Sequence, residues 1–371
     1  MTSRCPHGLM LLLGLVGWVR LSQAGDWPGL RGPTQDGVAN VERLADDWLA
    51  GGPPILWSRE LGQGYSSFAI VGDLAYTQYQ TSFSQFVICL ERDTGHPVWE
   101  TRVGDAYELV GLYPGPRSTP AVFEGAVYYT TPDGEVGALE AHTGTRKWRH
   151  QYPLGKGTEF GYAASPIIGD QRLYLPIGGT DAGVIALSLP SGELAWKSGS
   201  HLASYCSSYP ITLRGQPLLV SYLQNHLVIQ DRTTGQQLWQ TELSVGYDEH
   251  SCMPIYREPI LVVSAPFQAG STAYQLEWTP QGDGKPASPP AETLRDTKMA
   301  PTEVLARCRF GHAGRRHDLW VRPPRSAVEG ASPLARGVSR GESQRWADPV
   351  VVQGSEPSQH RRSRGRSAVA Q

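Results

Sequence analysis

Asp231-Arg232-Thr233-Thr234-Gly235-Gln236-Gln237-Leu238-Trp239 decides how the chain is read. A Thr-Gly pair is followed, four residues on, by a tryptophan. The same figure returns as Asp93-Thr94-Gly95-His96-Pro97-Val98-Trp99, as His142-Thr143-Gly144-Thr145-Arg146-Lys147-Trp148 and as Ser191-Gly192-Glu193-Leu194-Ala195-Trp196. Trp57, in Ile55-Leu56-Trp57, carries the closing half without the turn. Successive tryptophans stand 42, 49, 48 and 43 residues apart. A period in the forties, with short apolar runs and turns between, is the mark of a propeller blade.

Each unit can be assembled from its residues. A β-prone run precedes every turn: Phe86–Leu90, Glu135–Leu139, Gly183–Leu187 and His226–Ile229. Thr-Gly or Ser-Gly then supplies the positive φ of a tight hairpin, and the tryptophan occupies the return strand. Units begin alike, at Ser66-Ser67-Phe68, Ser118-Thr119-Pro120, Ser165-Pro166, Ser208-Tyr209-Pro210 and Cys252-Met253-Pro254. Proline is tolerated at the first residue of a strand, where no ladder donor is lost. Start, turn, strand, strand, Thr-Gly turn and Trp strand make one four-stranded antiparallel meander. Such a sheet cannot bury both faces alone, so Gly95 with Trp99, Gly144 with Trp148, Gly192 with Trp196 and Gly235 with Trp239 are read as the repeated stacking apparatus.

These figures resemble the pyrroloquinoline-quinone-like (PQQ-like) β-propeller repeat family, over roughly Asp26 to Trp278. The opening Asp26-Trp27-Pro28-Gly29-Leu30-Arg31-Gly32-Pro33 is similar to secreted bacterial members, planctomycete-like ones in particular, and so are Gly64-Tyr65-Ser66-Ser67 and Pro114-Gly115-Pro116-Arg117. The resemblance implies an all-β propeller of four-stranded blades. It also implies kinship with two kinds of protein: a periplasmic outer-membrane assembly lipoprotein, and quinoprotein alcohol and glucose dehydrogenases that use PQQ with calcium. The dehydrogenases carry adjacent cysteines beside the cofactor, and this chain has no adjacent pair.

Residues 1–24 read as a secretory signal: Arg4, an apolar run from Leu9 to Val19, then Ser22-Gln23-Ala24 as a small-x-small cleavage site. A periplasmic or secreted location follows, with no stable membrane span; a retained anchor is the other reading. Cys5 precedes the apolar run and so cannot be the acylated cysteine of a lipoprotein. Residues 25–52 form an irregular lead-in expected to pack across the propeller face or rim. Residues 53–278 are the propeller, opened by Pro53–Leu61 as an outer strand that completes a blade begun elsewhere. From Thr279 the repeat is gone, and 16 Lys and Arg stand against 9 Asp and Glu. Three readings of that tail stand side by side: a disordered extension, a displaced reading frame that leaves the propeller incomplete, or an Arg-rich contact for anionic polymers. The last lacks interleaved aromatics, and no nucleic-acid partner is expected. Cys206 and Cys252 both precede first strands of adjacent units, which permits a disulfide. Their unequal offsets to the proline favour the other reading, buried small apolar residues.

Residues leading into the first strands converge on one mouth of a propeller channel. Here they are Tyr65, Arg117, Tyr162, Tyr205, Tyr247, Asp248 and Glu249. Aromatics with one arginine and two acids suit a planar or polyhydroxylated ligand. The alternative is that the tyrosines only anchor the loops. Arg117 is expected to take Asp248 or Glu249 as its acidic partner. Asp105, Glu159 and Asp181 are candidate calcium ligands without a clustered pattern. His96, His142, His150, His201, His226 and His250 read as surface turn residues. No Gly-x-Ser-x-Gly elbow, Walker loop or His-Glu-x-x-His occurs. The expectation is a non-catalytic binding or scaffold protein that engages a protein or glycan on its propeller face, with catalytic residues unknown, no metal site and no cofactor. The alternative is a PQQ-dependent alcohol or sugar dehydrogenase, with Arg117 holding the quinone and Asp248 as base.

Overall fold

The computed structural model describes residues 25–39, 52–108, 113–152, 158–246, 248–266 and 270–278. The signal-like residues 1–24 and the tail from 279, with every reading of it, lie outside the described residues. Those described contain strands and turns and no helix. The first sheet is β1 (Ala69–Val71), β2 (Leu74–Gln80), β3 (Ser84–Glu91) and β4 (Pro97–Asp105). The second is β5 (Ala121–Phe123), β6 (Ala126–Thr130), β7 (Glu135–Glu140) and β8 (Arg146–Gln151). The third is β9 (Ile167–Gly169), β10 (Arg172–Leu175), β11 (Val184–Ser188) and β12 (Leu194–Ser198). The fourth is β13 (Tyr209–Leu213), β14 (Gln216–Tyr222), β15 (His226–Asp231) and β16 (Gln237–Glu242). A fifth, three-stranded sheet holds β17 (Ile255–Arg257), β18 (Ile260–Ala265) and β19 (Gly270–Gln275). Every sheet is an antiparallel meander in chain order, which is the propeller blade. Pro53–Leu61, expected as an outer strand, joins none of the sheets.

Burial follows position in the sheet. The second and third strands are buried almost throughout, because neighbouring sheets cover both their faces. This is why they read as continuous apolar runs rather than as alternating ones. The fourth strands alternate between exposed and half-buried and form the rim. First strands of neighbouring sheets touch, β1 with β5, β5 with β9 and β9 with β13, so they line the axis.

The Thr-Gly turn is wider than a two-residue hairpin. Gly95, Gly144, Gly192 and Gly235 each donate their amide to the carbonyl four residues back, at 2.8–2.9 Å. The register of the third and fourth strands slips just before the turn in all four sheets, between Cys89 and Leu90, Ala138 and Leu139, Ala186 and Leu187, and Ile229 and Gln230. The bulge accommodates the extra residue. All four glycines have φ near +70°, which L side chains rarely adopt.

The tryptophans join successive sheets. Each indole lies against the turn glycine of the sheet that follows: Trp57 on Gly95, Trp99 on Gly144, Trp148 on Gly192 and Trp196 on Gly235. A Cβ on any of these glycines would stand 2.5–2.6 Å from the ring. Each indole N–H donates to a carbonyl in the same following turn: Trp57 to Arg92 (2.7 Å), Trp99 to Ala141 (2.8 Å), Trp148 to Leu189 (2.9 Å) and Trp196 to Arg232 (3.2 Å). One ring face is thus packed and the polar edge satisfied. Trp196 is buried and the other rings are half-buried at the rim. Trp57 takes the place of a fourth-strand tryptophan although its segment pairs with no sheet. Trp239 meets Tyr274 of β19 edge-on, with centroids 5.6 Å apart.

The lead-in runs along the axis and touches all five sheets. Trp27 exchanges backbone hydrogen bonds with Ile70 (2.7 and 2.8 Å), and the Asp26 carboxylate accepts from Gly72 N. Pro28 O accepts from Val122 N, and the Gln35 side chain donates to Ile168 O. Arg31 donates to Pro254 O (2.8 Å) and Asp36 O (2.9 Å), with its guanidinium 5.5 Å from the Tyr209 ring.

A second chain of bonds runs around the axis, where the first strands begin. Ser67 N donates to the Thr119 hydroxyl, Thr119 N to the Ser165 hydroxyl (2.9 Å) and Ser165 N to the Ser207 hydroxyl (2.8 Å). At the starts of the second, third and fourth units a Ser or Thr hydroxyl therefore accepts an amide from the unit before it.

Candidate functional site

The best-developed polar constellation sits at the end of the axis where the first strands begin. Its floor is Pro114-Gly115-Pro116-Arg117, at the end of the long connection from β4 to β5. Tyr65 N donates to Pro116 O (2.8 Å), so the segment before β1 straps this floor down. Gly115 (φ +91°) allows the crossing, since a Cβ there would lie 2.7 Å from Gln63 O. Two rigid prolines and the strap fix the backbone from which Arg117 projects.

Arg117 is half-buried. Its Nη1 donates to Gly115 O (3.1 Å) and its Nη2 to Tyr113 O (2.5 Å), and the guanidinium lies 5.6 Å from the Tyr107 ring. Burial pulls its pKa below the ordinary value, while the phenols of Tyr107, Tyr65 and Tyr205 act in the other direction. An arginine keeps its charge under such a shift. A single cation is therefore held by carbonyl dipoles and an aromatic face.

Aromatic rings extend from it in series. Tyr65 meets Tyr113 edge-on at 6.4 Å, Tyr113 meets Phe160 at 5.3 Å and Phe160 meets Tyr205 at 6.2 Å. The Tyr205 hydroxyl accepts from Phe160 N at 3.2 Å, which fixes the connection before β9 against that before β13. Burial raises the Tyr205 pKa, and Glu249 and Glu159 add to the rise. Tyr65 and Tyr113 are 58% and 52% exposed, so two ring faces are open to a ligand. Phe83, in the turn between β2 and β3, is 83% exposed.

Of the residues expected at this mouth, Tyr65, Arg117 and Tyr205 come together, with Glu249 within electrostatic reach of Tyr205. Tyr162 does not line it. Its ring is 4% exposed and packs with Tyr128, Leu173 and Leu175 between the second and third sheets. Asp248 is not the partner of Arg117. Its carboxylate accepts from the Ser244 hydroxyl (2.8 Å) and Val245 N (2.8 Å), so the loop closes on itself. Tyr247 lies outside the described residues. Tyr107, Tyr113 and Phe160 join the mouth without any mark in the repeat; the signal available was the length of their two aromatic-bearing loops, each about three times a usual connection.

His250 corrects another expectation. It is fully buried and stacked on Tyr222 at 3.8 Å, with Nε2 3.6 Å from Asp248 Oδ1. Burial lowers its pKa, against the pull of Asp248. His201 and His226 stack on each other at 3.9 Å.

The carboxylates considered for calcium do not gather. Asp105 pairs with Arg102 on β4, and Glu159 and Asp181 are exposed in different sheets' loops. Among the described residues no group of three His, Cys, Asp or Glu is set to hold a metal ion. One N–H of each terminal nitrogen of Arg117 is engaged by backbone, and Asp248 is turned to its own loop rather than set beside Arg117 as the base that the quinoprotein reading assigned to it. Among the described residues no helix is long and apolar enough to cross a membrane.

The family described as "Outer membrane protein assembly factor BamB" matches residues 50–254, more than half of the 371 residues, and the chain belongs to that family of PQQ-like repeat propellers. A quinoprotein ethanol dehydrogenase of Pseudomonas putida is 28% identical over 169 residues, 41% of this chain and 26% of that protein. Its counterpart from Pseudomonas aeruginosa is 25% identical over the same shares. The match thus spans about a quarter of the length of these curated relatives. Among solved structures, BamB from Moraxella catarrhalis superposes with a TM-score of 0.42 at 19% identity, over 58% of this chain and 60% of that one. The quinohemoprotein alcohol dehydrogenase ADHIIG from Pseudomonas putida HK5 gives 0.44 at 15% identity, over 68% and 45%.

Proposed function

We propose that this PQQ-like repeat propeller is an exported, non-catalytic binding or scaffold protein whose mouth around Arg117 takes a protein or glycan partner. The observation that carries the reading is the open series Tyr65–Tyr113–Phe160–Tyr205 beside a half-buried guanidinium. Exposed aromatic faces stack on sugar rings or on peptide side chains, and aromatics with arginine form the usual energetic centre of an interface. Its membership in an assembly-factor family supports the protein-binding form. A periplasmic location, reached through the signal-like residues 1–24, belongs to the same proposal.

The direct test screens the immobilised full chain against peptide and glycan arrays, beside a Tyr113→Ala, Arg117→Ala variant. Ligands held by the wild type and lost by the variant support the reading; ligands held equally by both remove the mouth as their site. A PQQ-dependent dehydrogenase is the second reading, favoured by the ethanol dehydrogenase relatives. It is tested by titrating PQQ and calcium into the protein and following cofactor absorbance and alcohol-dependent dye reduction. Stoichiometric binding with turnover, abolished by Arg117→Ala, overturns the scaffold reading.

A further inference from the structure

We propose that Cys206 and Cys252 are a disulfide-forming pair that cross-links the fourth sheet to the fifth, with Cys252 the point of attack. Both stand in segments that lead into first strands, Cys206 before β13 and Cys252 before β17. Their offsets to Pro210 and Pro254 differ, yet the structure brings the two residues together. The Ser204 hydroxyl donates to Tyr222 O and accepts from Cys206 N (3.2 Å). The Cys206 thiol lies 3.3 Å from the carbonyl of its neighbour Ser207. Its Sγ reaches 3.5 Å from Cys252 O, against the backbone of the residue whose thiol it must meet. Disulfides require that two backbones approach in this way.

The two thiols differ in the way a two-step exchange needs. Cys206 is 1% exposed and packed with Met253, Tyr209 and Ile167, whereas Cys252 is exposed. Burial raises the Cys206 pKa, and a charge on Cys252 raises it further. The exposed thiol therefore meets an external oxidant first. With a small disulfide such as oxidised glutathione, the Cys252 thiolate bonds to one glutathione sulfur and expels the other as a thiolate. Cys206 then gives up its proton and attacks the Cys252 sulfur, expelling the second glutathione. Two protein thiols and one glutathione disulfide become one protein disulfide and two glutathione thiols. Cys89, buried in β3, takes no part.

The test uses the full chain, purified reduced, treated with oxidised glutathione, alkylated and mapped by mass spectrometry without reduction. The expected product is a cross-linked peptide pair containing Cys206 and Cys252, lighter by two hydrogens, with Cys89 alkylated only after unfolding. Cys206→Ser should stop at a stable glutathione adduct on Cys252, and Cys252→Ser should leave Cys206 free. A wild-type protein that stops at the same adduct, or that pairs Cys252 instead with Cys308, the cysteine of the sequence beyond residue 278, overturns the proposal. The wild-type map is decisive by itself, so a folding defect in either variant leaves the outcome unchanged.

Discussion

Trp99 covers Gly144 so closely that a Cβ on the glycine would stand 2.5 Å from the indole, while the indole N–H reaches Ala141 O at 2.8 Å. Ring and glycine belong to different sheets, 45 residues apart in the chain. The pair makes one joint of the propeller, and its two halves can be tested against each other. Trp99→Ala should destabilise by about 3–5 kcal/mol, as other large aromatic truncations do. Gly144→Ala should cost about 1–3 kcal/mol through its left-handed backbone, plus the clash with the ring. In the double variant the clash with the ring is gone while that with Thr101 Oγ1, 2.6 Å from the added Cβ, stays, so the combined loss should fall short of the sum of the two single losses, as measured by urea denaturation. Strict additivity would mean that the ring does not bear on the glycine.

The hydroxyl chain around the axis gives a second expectation. Ser165→Ala removes the acceptor of the buried Thr119 amide, and an orphaned buried donor costs about 1–3 kcal/mol. Ser165→Cys, which restores a weak acceptor, should recover part of that loss. Amide hydrogen exchange at Thr119 reports the bond directly: faster exchange is expected in the alanine variant, and unchanged exchange would count against the link.

Stability should fall on mild acidification. The His250 pKa is lowered by burial, so the unfolded chain binds its proton at higher pH than the folded one. The contribution is complete above the ordinary histidine value near 6.5 and is lost as pH falls from there through the lowered folded value. His226, also lowered by burial and by His201, acts in the same direction. Denaturation midpoints should decline between about pH 7.5 and 5. His250→Phe, which keeps a ring on Tyr222, should flatten that decline; an equal slope in the variant would exclude His250 as its source.

At the mouth, partner affinity should depend on ring faces and on guanidinium shape. For any ligand recovered from the arrays, Tyr113→Ala and Arg117→Ala should each weaken binding about tenfold or more. Arg117→Lys should restore little, because an ammonium cannot span Gly115 O and Tyr113 O at once. Isothermal titration of the three variants checks this, and a full rescue by lysine would reduce Arg117 to a generic charge.

The repeat was legible because its signals are local. A Thr-Gly turn and a tryptophan four residues on declare themselves within one strand pair. The joint itself was not legible, since each indole serves a glycine more than thirty residues later. The mouth was half legible for a related reason. Position in the repeat placed Tyr65, Arg117 and Tyr205 together, and put Tyr162 in the same place, but its ring turns into the core between two sheets. Asp248 looked available to Arg117 because the closeness of Ser244 and Val245 N, which captures it locally, depends on loop shape. Tyr107, Tyr113 and Phe160 arrive through long connections that obey no repeat. Strand periodicity says nothing about where such loops set their side chains.

The three joints that link the first four sheets have the same sense: the earlier sheet gives the ring and the later one gives the glycine. The contact is therefore heterologous, like a stud and socket, and each middle sheet carries one of each. A unit copied in tandem within the gene would arrive with both halves ready and would need no compensating change in its neighbours. Losing a unit would likewise leave a stud facing a socket. The number of sheets can drift by duplication and deletion while the joint stays fixed, which gives one repeat design a ready route to rings of different size.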